Sequence, residues 1–344
     1  MIKAGIIGAG GYAGVTLAAI LLRHPEVELI WLSSEPAHEG KKFSELYPSM
    51  RGICDLTIKK AMDGKDVKAA DVVFLGVPHG LAMNFVPALR KAGKKVVDLS
   101  ADYRIKDKAT YEEWYIPHKG AEYLKESVYG LPELHKSEIK KSELIGNPGC
   151  YPTASILGSA PLVKEGLIDA SNIFVDAKSG VSGAGRGPNL VTHFPEANEG
   201  VMAYKVMAHR HNAEINVELS ELAGKKLNVG FVPHLIPMTR GILASIYAVL
   251  NKKMDQKKLT ELYINFYKNE PFVRVLEGGD LPSTKHVYAT NYCDIAVQVR
   301  DNKVVVLSAI DNLVKGAAGQ AVQNMNLIYG IDEKLGLDSI PVYP

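Results

Sequence analysis

The chain has 344 residues, 47% of them hydrophobic, and a formal net charge of +2 at neutral pH. This size suffices for two domains with buried cores, and the scattered basic residues form no block of the kind that binds nucleic acid. Three cysteines far apart in sequence exclude a disulfide framework and favour a reducing compartment, with no metal site expected. No apolar run approaches membrane-spanning length and no leader precedes the first strand pattern, so we expect a cytoplasmic protein.

The first element pattern, residues 2–7, is an apolar run followed by a glycine-rich turn and a helical pattern of alanine and leucine. Strand, glycine turn and helix in this order indicate a dinucleotide site, because glycines let the chain approach a pyrophosphate at the helix N-terminus. A purely structural turn is the alternative. The expected cofactor contacts are Gly8, Gly10, Gly11, Tyr12, Ala13 and Gly14.

The second strand pattern, residues 27–32, ends in Ser33 and Ser34 rather than in an acidic residue, and a lysine pair follows at 41–42. Hydroxyls and lysines attract the 2′-phosphate of NADP, which an acid at this place would repel, so NADP is favoured over NAD. Glu35 could still reach a free ribose hydroxyl, and the lysines are equally typical of a solvated surface.

Two further strand patterns, residues 71–77 and 95–99, flank a helical pattern over residues 81–91. This alternation predicts an α/β fold with a doubly wound parallel sheet of the Rossmann type, whose ligands gather at the carboxyl ends of the strands. The side chains expected on that edge are Pro78, His79, Asp102 and Arg104, although His79 is more typical of a capping or packing residue.

A polar and aromatic stretch, residues 106–142, has poor periodicity and is interpreted as an excursion covering the first domain. A short strand pattern then leads to Cys150, which follows Pro148 and Gly149 and precedes a helical pattern at 153–160. A helix N-terminus there would favour the thiolate, and its amides could bind an oxyanion on a carbonyl that the sulfur attacks. A small buried thiol beside a loop is the alternative.

Two polar groups follow the cysteine helix. The glycine-rich loop at residues 178–188 contains Arg186, and successive amides with an arginine can hold a phosphate or a carboxylate, unless the loop is only a flexible connection. Further on, His209 and His211 begin an amphipathic pattern that carries Glu214. These histidines could supply an acid or base near neutral pH, or could be surface caps.

The rest of the chain contains more strand patterns than helices, which predicts a mixed sheet in an α+β second domain. The strand patterns, expected to be antiparallel in the last three cases, are residues 226–232, 241–250, 287–290, 293–299 and 303–310, and helical patterns cover 255–267 and 311–329. We therefore expect a nucleotide-binding domain at 1–149, a catalytic and dimerisation domain at 150–311, and a segment at 312–344 whose helix returns to the first domain. Cys54 and Cys293 are interpreted as structural.

Eight short stretches together resemble the N-acetyl-gamma-glutamyl-phosphate reductase family of arginine biosynthesis, which is related in fold to aspartate-semialdehyde and glyceraldehyde-3-phosphate dehydrogenases. The stretches are residues 8–14, 78–80, 101–104, 130–133, 148–153, 182–186, 209–211 and 310–315. None would suffice alone, and together they extend over essentially the whole chain. The resemblance implies NADPH-dependent reduction of N-acetyl-gamma-glutamyl phosphate to a semialdehyde and phosphate through a cysteine thioester.

The resemblance also implies individual roles. Cys150 is implied as the nucleophile, His209 as the acid–base group and Asn312 as a nicotinamide contact. We further expect Pro78 and Gly183 at the cofactor. The expected substrate-binding residues are Arg104, Ser182, Arg186, His211 and Glu214.

Two other functions stay open at this point. One is a different semialdehyde dehydrogenase, acting on aspartyl phosphate or on a carrier-linked intermediate of lysine synthesis. That carrier-linked branch typically lacks Pro148, Tyr151 and Arg186, so their presence favours the free acetylated substrate. The other is a non-catalytic NADP sensor with an unreactive Cys150. An exposed sheet in the second domain predicts a homodimer or a homotetramer.

Overall fold

A computed structural model of the protein describes residues 1–62, 64–169 and 172–342. The chain forms two compact units. Met1–Pro148 and Ala317–Asp338 make the first, and Gly149–Gly316 with the residues from Ser339 onward make the second. Within the described ranges, no helix is long and apolar enough to span a bilayer.

The first unit is built on a seven-stranded sheet whose neighbouring strands all pair in parallel. Its strands are β1 (Ile2–Ile7), β2 (Val27–Ser33), β3 (Ile58–Lys59), β4 (Val72–Leu75), β5 (Lys95–Asp98), β6 (Val128–Tyr129) and β7 (Leu144–Gly146). The spatial order is β3-β2-β1-β4-β5-β7-β6, so the order reverses between β1 and β4. Ligands of doubly wound sheets bind at such a reversal. The predicted Rossmann-type parallel sheet is confirmed.

The helices of this part of the chain are α1 (Tyr12–Leu21), α2 (Phe43–Leu46), α3 (Gly64–Ala69), α4 (Val86–Lys91), α5 (Lys108–Trp114) and α6 (Pro132–Ile139). The predicted single helix at 81–91 is wrong in its first half, which forms a 3₁₀ turn at Ala82–Asn84 before α4 begins. Pro87 explains the break, because it has no N–H to donate to the carbonyl of Met83.

The predicted excursion at 106–142 contains regular elements that its poor periodicity concealed. It includes α5, the edge strand β6 and α6. Asp107 caps α5 by accepting the N–H of Thr110 at 2.8 Å, and Pro132 occupies the first turn of α6. Helices of about two turns and a two-residue strand are too short to establish a period.

The second unit contains a seven-stranded mixed sheet, which confirms the α+β prediction. Its strands are β8 (Phe174–Gly180), β9 (Met202–Ala203), β10 (Gly230–Ile236), β11 (Ile242–Val249), β12 (Val273–Val275), β13 (Cys293–Arg300) and β14 (Lys303–Ile310). The order is β12-β13-β14-β11-β8-β10-β9. β12 pairs with β13 and β10 with β8 in parallel, while the other pairs are antiparallel.

Two strand predictions in this unit differ from the structure. The pattern at 226–232 was expected to end before Pro233, whereas β10 runs through it. The carbonyl of Pro233 accepts the N–H of Tyr204, which follows the short edge strand β9. Because the N and the carbonyl of a strand residue point to the same side, the N–H that proline lacks would also face this edge, where the loss of a donor costs least. The strand predicted at 287–290 is wrong, because a 3₁₀ turn at Thr284–Val287, which the Ser283 hydroxyl caps, ends there and is followed by further turn residues.

The helices of the second unit are α7 (Cys150–Lys164), α8 (Phe194–Ala197), α9 (His211–Ala223) and α10 (Gln256–Tyr267). α7 is longer than the predicted 153–160 and includes Pro161, which leaves the carbonyl of Leu157 without its intrahelical N–H. The hydroxyl of Tyr267 on α10 donates to that carbonyl instead. Gly158 brings α7 close to β11, since an added Cβ would lie 2.4 Å from Cδ1 of Ile246.

The last helix, α11 (Gly319–Ile328), belongs to the first unit. Its Gln320 and Asn324 amides donate to the carbonyl of Gly130 at 2.7 and 2.8 Å. The continuous helix predicted over 311–329 is wrong at its start, because a π-helical turn at Val314–Ala318 precedes α11.

Candidate active site

Cys150 is the first residue of α7, and its side chain is partly buried. Gly149 precedes it in an extended conformation, with φ of −71° and ψ of 157°, so the chain turns into the helix at the residue that carries the thiol. The helix begins three residues earlier than predicted. The thiol therefore lies at the positive end of a 15-residue helix dipole.

The first turn of α7 has two N–H groups beside the thiol. The N–H and hydroxyl of Thr153 both donate to the carbonyl of Gly149, at 3.0 and 2.9 Å. Pro152 has no N–H, so Cys150 and Tyr151 carry the amides ahead of that bond. Two amides at the positive end of a helix can stabilise negative charge on a carbonyl oxygen bound at the sulfur.

Glu214 lies in the first turn of α9 and is only 1% exposed. Its Oε1 accepts the N–H of Gly149 at 2.7 Å. The carboxylate thus fixes the backbone directly ahead of Cys150. The sequence placed Glu214 among the substrate-binding residues, and that contact stays a prediction.

Tyr151 connects the start of α7 to the histidine pair. Its ring centroid lies 5.7 Å from that of His209 and 5.9 Å from that of His211. The ring of Tyr204 lies 5.4 Å from His209, and its hydroxyl donates to the hydroxyl of Tyr151 at 3.2 Å. The structure therefore brings Cys150, through the adjacent Tyr151, into one cluster with both predicted histidines.

Three side chains of this cluster, His209, Tyr151 and Tyr204, are neutral around pH 7. Burial, with the positive charges of Lys205 and Arg210 nearby, lowers the pKa of His209 to about 4. Burial also raises the pKa of Tyr204 to about 12 and that of Tyr151 well above its usual range. Both hydroxyls consequently keep their protons.

The tautomer of His209 follows from its backbone contact. Nδ1 lies 3.1 Å from the backbone nitrogen of His211, whose N–H donates to it. In a neutral ring the proton must then be on Nε2. His209 accordingly offers Nε2–H as a hydrogen-bond donor.

Ser182 and Asn312 are 130 residues apart in sequence and in direct contact. The amide nitrogen of Asn312 donates to the Ser182 hydroxyl at 3.0 Å, and its oxygen accepts the N–H of Gly241 at 2.7 Å. The Asn312 side chain therefore connects the glycine-rich loop to the start of β11. Gly183 and Arg186 lie in the exposed part of the glycine-rich loop.

Gly316, in the π-helical turn, packs directly against the nucleophile. A Cβ added to it would lie 2.7 Å from the Cβ of Cys150. The turn brings it there through a bond from the Gly316 N–H to the carbonyl of Asp311 at 2.9 Å. Any larger side chain at this position would displace the thiol.

In the first unit, the glycine turn after β1 is closely packed on one side and open on the other. Gly8 has φ of 95°, and a Cβ there would lie 2.4 Å from the carbonyl oxygen of Gly76. A Cβ at Gly14 would lie 2.4 Å from the carbonyl oxygen of Gly8, so α1 approaches the turn at Gly14. Gly11, the N-cap of α1, faces open space. This open cradle at a helix N-terminus fits the pyrophosphate of a dinucleotide.

The two serines that end β2 have different surroundings. Ser33 is fully buried, and its carbonyl accepts the N–H groups of Gly8 and Ala9. Ser34 is partly exposed, and its hydroxyl lies 3.1 Å from Nδ1 of His38. His38 thus joins the predicted 2′-phosphate region, which the sequence described only by its serines and lysines.

Arg104 and His79 contact backbone at the carboxyl ends of the strands. Arg104 is 6% exposed; its Nε donates to the carbonyl of Asn147 at 2.6 Å and its Nη2 to that of Leu99 at 2.8 Å. Nδ1 of His79 accepts the N–H of Ala101 at 3.0 Å, which matches the packing alternative for that residue. Pro78 is exposed.

Asp98 and Asp102 are fully buried on the same edge of the first sheet. Burial and the neighbouring Asp102 charge raise the pKa of Asp98 to about 7. Asp102 accepts hydrogen bonds from the N–H of Gly80 and the hydroxyl of Tyr111, at 2.7 and 2.8 Å. These carboxylates tie together the loops that follow β4 and β5.

Sequence reasoning did not find the positioning role of Glu214, the contact of Gly316, or the place of Tyr204 in the histidine cluster. Each depends on residues that are far apart in the chain, so no local pattern signals it.

Two family models match the chain. One, described as the semialdehyde dehydrogenase NAD binding domain, matches residues 3–142, and the other, the semialdehyde dehydrogenase dimerisation domain, matches residues 150–312. Full-length relatives include the N-acetyl-gamma-glutamyl-phosphate reductases of Desulforudis audaxviator, 52% identical, and Citrifermentans bemidjiense, 53% identical. In both cases 100% of this chain and 100% of the relative are covered.

Solved structures share the fold at low sequence identity. Aspartate semialdehyde dehydrogenase II of Vibrio cholerae is similar with a TM-score of 0.73 and 16% identity, covering 96% of this chain and 98% of its own. The aspartate semialdehyde dehydrogenase of Candida albicans, solved with NADP, has a TM-score of 0.71 and 16% identity, covering 96% and 99%. With relatives about half identical over their full length, the chain belongs to the N-acetyl-gamma-glutamyl-phosphate reductase family of semialdehyde dehydrogenases.

Proposed function

We propose that this protein is an NADP-dependent, phosphorylating semialdehyde dehydrogenase of arginine biosynthesis. It reduces N-acetyl-gamma-glutamyl phosphate to N-acetylglutamate semialdehyde and inorganic phosphate. The observation that carries this proposal is the thiol at the first position of α7, clustered with a neutral His209, in a chain of this family.

The acylation step uses the start of α7. The Cys150 thiolate attacks the acyl carbonyl, and the carbonyl oxygen becomes negative where the first-turn amides and the helix dipole can stabilise it. The oxyanion then collapses, the bond to phosphate breaks, and a thioester forms on Cys150. Glu214 and Gly316 hold the backbone and the Cβ of Cys150 in place during these steps.

When bound, NADPH supplies the hydride that converts the thioester carbonyl into a thiohemiacetal. His209 supports this change as a neutral donor, because Nε2–H can hydrogen-bond to the oxygen as its negative charge develops. The same imidazole protonates the thiohemiacetal oxygen or shuttles that proton as the C–S bond breaks. The semialdehyde leaves, and the Cys150 thiolate is restored.

The proposed cofactor contacts comprise the glycine turn, the residues that end β2, and three positions outside them. They are Gly8, Gly10, Gly11, Tyr12, Ala13, Gly14, Ser33, Ser34, Pro78, Gly183 and Asn312. The proposed substrate contacts are Arg104, Ser182, Arg186, His211 and Glu214. The open face at Gly11 and the contact between Ser182 and Asn312 support these assignments.

We also propose a homodimer or homotetramer formed through the second unit, which the dimerisation family model covers. One face of its sheet exposes Phe174 on β8 and Tyr247 on β11, which are paired in register, and Val249 beside them. Adjacent exposed apolar side chains of this size mark a contact surface, and a second copy of this chain fits the family assignment. A cytoplasmic location is proposed because none of the three cysteines, all within the described residues, forms a disulfide.

The test is phosphate-dependent reduction of NADP, followed by absorbance, with N-acetylglutamate semialdehyde and aspartate semialdehyde compared. We expect turnover only with the acetylated substrate, and a loss of at least about a thousandfold in kcat for Cys150→Ser with NADP binding retained. Cys293→Ser is the matched control, because it makes the same substitution at a thiol buried in β13, where Sγ lies 3.3 Å from the Ser308 hydroxyl. Substantial activity in Cys150→Ser would remove the nucleophile assignment.

A further inference from the structure

Two arginines of the second unit each pair with a buried aspartate beneath a tyrosine ring. Arg274 binds both carboxylate oxygens of its aspartate. Its Nε and Nη2 donate to the two carboxylate oxygens of Asp294 at 2.6 and 2.9 Å, and Nη2 also reaches the carbonyl of His286 at 3.2 Å. The guanidinium carbon lies 4.4 Å from the centroid of Tyr292. This is a complete planar fork on a carboxylate.

Arg240 forms the corresponding arrangement incompletely. Its Nε lies 3.2 Å from Oδ2 of Asp311, and its guanidinium carbon lies 5.5 Å from the centroid of Tyr288. Its Nη2 is buried and has no hydrogen-bond partner in the part of the chain that the structure describes. A buried guanidinium nitrogen without an acceptor is costly, so this one indicates a place for an anionic ligand.

Asp311 cannot rotate to complete the fork, because the backbone already holds its carboxylate. Oδ1 accepts the N–H groups of Leu313 and Val314 at 2.8 and 3.1 Å. Oδ2 accepts the N–H of Ala289 at 2.7 Å. Asp311 therefore leaves Nη2 of Arg240 without an acceptor, and its own backbone bonds keep it in that position.

Backbone bonds connect Arg240 to both sides of the candidate site. The loop from β10 to β11 bonds the glycine-rich loop, through Val181 N–H to the carbonyl of Met238 at 2.9 Å and Ser182 N–H to that of Thr239 at 3.1 Å. On the other side, Asp311 accepts the N–H of Gly316, the residue that packs on Cys150. The residues before Arg240 are thus bonded to the proposed substrate loop, and its partner Asp311 is bonded to the residue that packs on the nucleophile.

We propose that Arg240 binds the α-carboxylate of the N-acetylglutamyl substrate, an inference that rests on the proposed function. A planar guanidinium fork matches a carboxylate, and this group stays on the molecule through both steps of the reaction. The phosphate, in contrast, must leave on acylation, which suits the exposed Arg186 better than the partly buried and fixed guanidinium of Arg240.

The experiment compares two aldehydes, N-acetylglutamate semialdehyde and 4-acetamidobutanal, which lacks only the carboxylate. Arg240→Lys keeps a positive charge for Asp311 but loses the fork. We expect it to lower kcat/KM for the first aldehyde by about tenfold to a hundredfold, mainly through KM, and to leave the second within about twofold. Equal losses on both aldehydes would overturn the proposal, as would a rise confined to the KM for phosphate.

Arg274→Lys is the matched control, since it changes the same chemistry at the complete arginine fork. We expect Arg274→Lys to change kcat/KM for the two aldehydes by the same factor.

A binding measurement tests the role of Arg240 in carboxylate binding without turnover. The unreactive N-acetyl-2-aminopentanoate keeps the acetamido group and the carboxylate, and calorimetry should show that Arg240→Lys weakens its binding by about tenfold or more. A wild-type enzyme that turns over neither aldehyde would defeat the proposed function, whereas unchanged calorimetric affinity in Arg240→Lys would defeat this inference.

Discussion

Around Cys150, single residues act mainly by fixing positions. Glu214 holds the amide of Gly149, and Gly316 leaves room for the Cβ of Cys150 and no more. Neither group is needed to take a proton in the reaction. The buried Glu214 carboxylate repels the negative thiolate that the helix dipole stabilises, so the site depends on geometry as well as on charge.

His209 gives a prediction for pH. Its pKa is lowered to about 4 by burial and by nearby positive charges, whereas an unfolded histidine titrates near about 6.5. Between these values the unfolded chain binds a proton that the folded chain does not, so acidification over this range favours unfolding and higher pH does not. We expect the wild type to lose up to about 3 kcal/mol more unfolding free energy than His209→Gln between pH 6.5 and 4.

Urea unfolding at several pH values measures this difference. His193→Gln is the control, because it makes the same substitution at a histidine that lies exposed at the start of α8. Identical slopes for wild type and His209→Gln would show that His209 is not held neutral by the fold.

Among elements, α7 carries the nucleophile and depends on α10 for its continuity. Pro161 deprives the buried carbonyl of Leu157 of an N–H, and Tyr267 replaces it. We expect Tyr267→Phe to cost about 1–3 kcal/mol of unfolding free energy in the wild type, because a buried acceptor loses its donor. In a Pro161→Ala background the new N–H can bond Leu157, and the cost should fall below about 1 kcal/mol.

Tyr263→Phe is the matched control for this double-mutant cycle. The Tyr263 hydroxyl donates to the carbonyl of Gly158 at 2.8 Å, and the residue four positions on, Leu162, has an N–H in either background. Its cost should therefore be the same with and without Pro161. If the cost of Tyr267→Phe is equally unaffected by Pro161→Ala, Tyr267 does not compensate for the proline.

The elements also show what local patterns could predict. The glycine turn and the turn at Cys150 could be predicted because the residues that indicate each turn lie within a stretch of ten residues. The predicted start of α7 was three residues too late, because apolar periodicity does not mark its first residues. Their backbone is fixed by the hydrogen bond from the Gly149 N–H to Glu214, which is distant in sequence. Arg240 escaped notice because its partner Asp311 lies 71 residues away, and a missing acceptor leaves no trace in a sequence.

For the whole molecule, the exposed face of the second sheet predicts how copies associate. Tyr247 is 44% exposed and paired with the exposed Phe174. We expect Tyr247→Lys to raise the Kd of self-association by about tenfold or more, because a charge would be buried against apolar surface. Sedimentation measures this; Leu281→Lys, on an exposed loop of the same unit, should leave the mass unchanged. An unaltered assembly in Tyr247→Lys would exclude this face.

The fold class could be predicted because strands of a parallel sheet are continuous apolar runs, such as residues 72–75, which are all buried. Nucleotide binding could be predicted because the glycine turn directly follows the first strand. The second sheet was predicted only as mixed. In its strand order β8 pairs with β10 and β11, and the paired residues are more than fifty positions apart in the chain. Pairing over such distances depends on packing that no single segment contains.

The chain enters the second unit at Gly149 and leaves it at Gly316, and both residues adjoin Cys150. In the first unit, the flanking Asn147 and Ala317 are joined by a hydrogen bond of 3.1 Å. A segment whose two ends lie together has the architecture of an insertion, which natural recombination can transfer as one cassette. The nucleophile lies beside both ends of this segment, so a transplanted cassette from another semialdehyde dehydrogenase would bring its own reactive cysteine and substrate preference to an unchanged nucleotide-binding host.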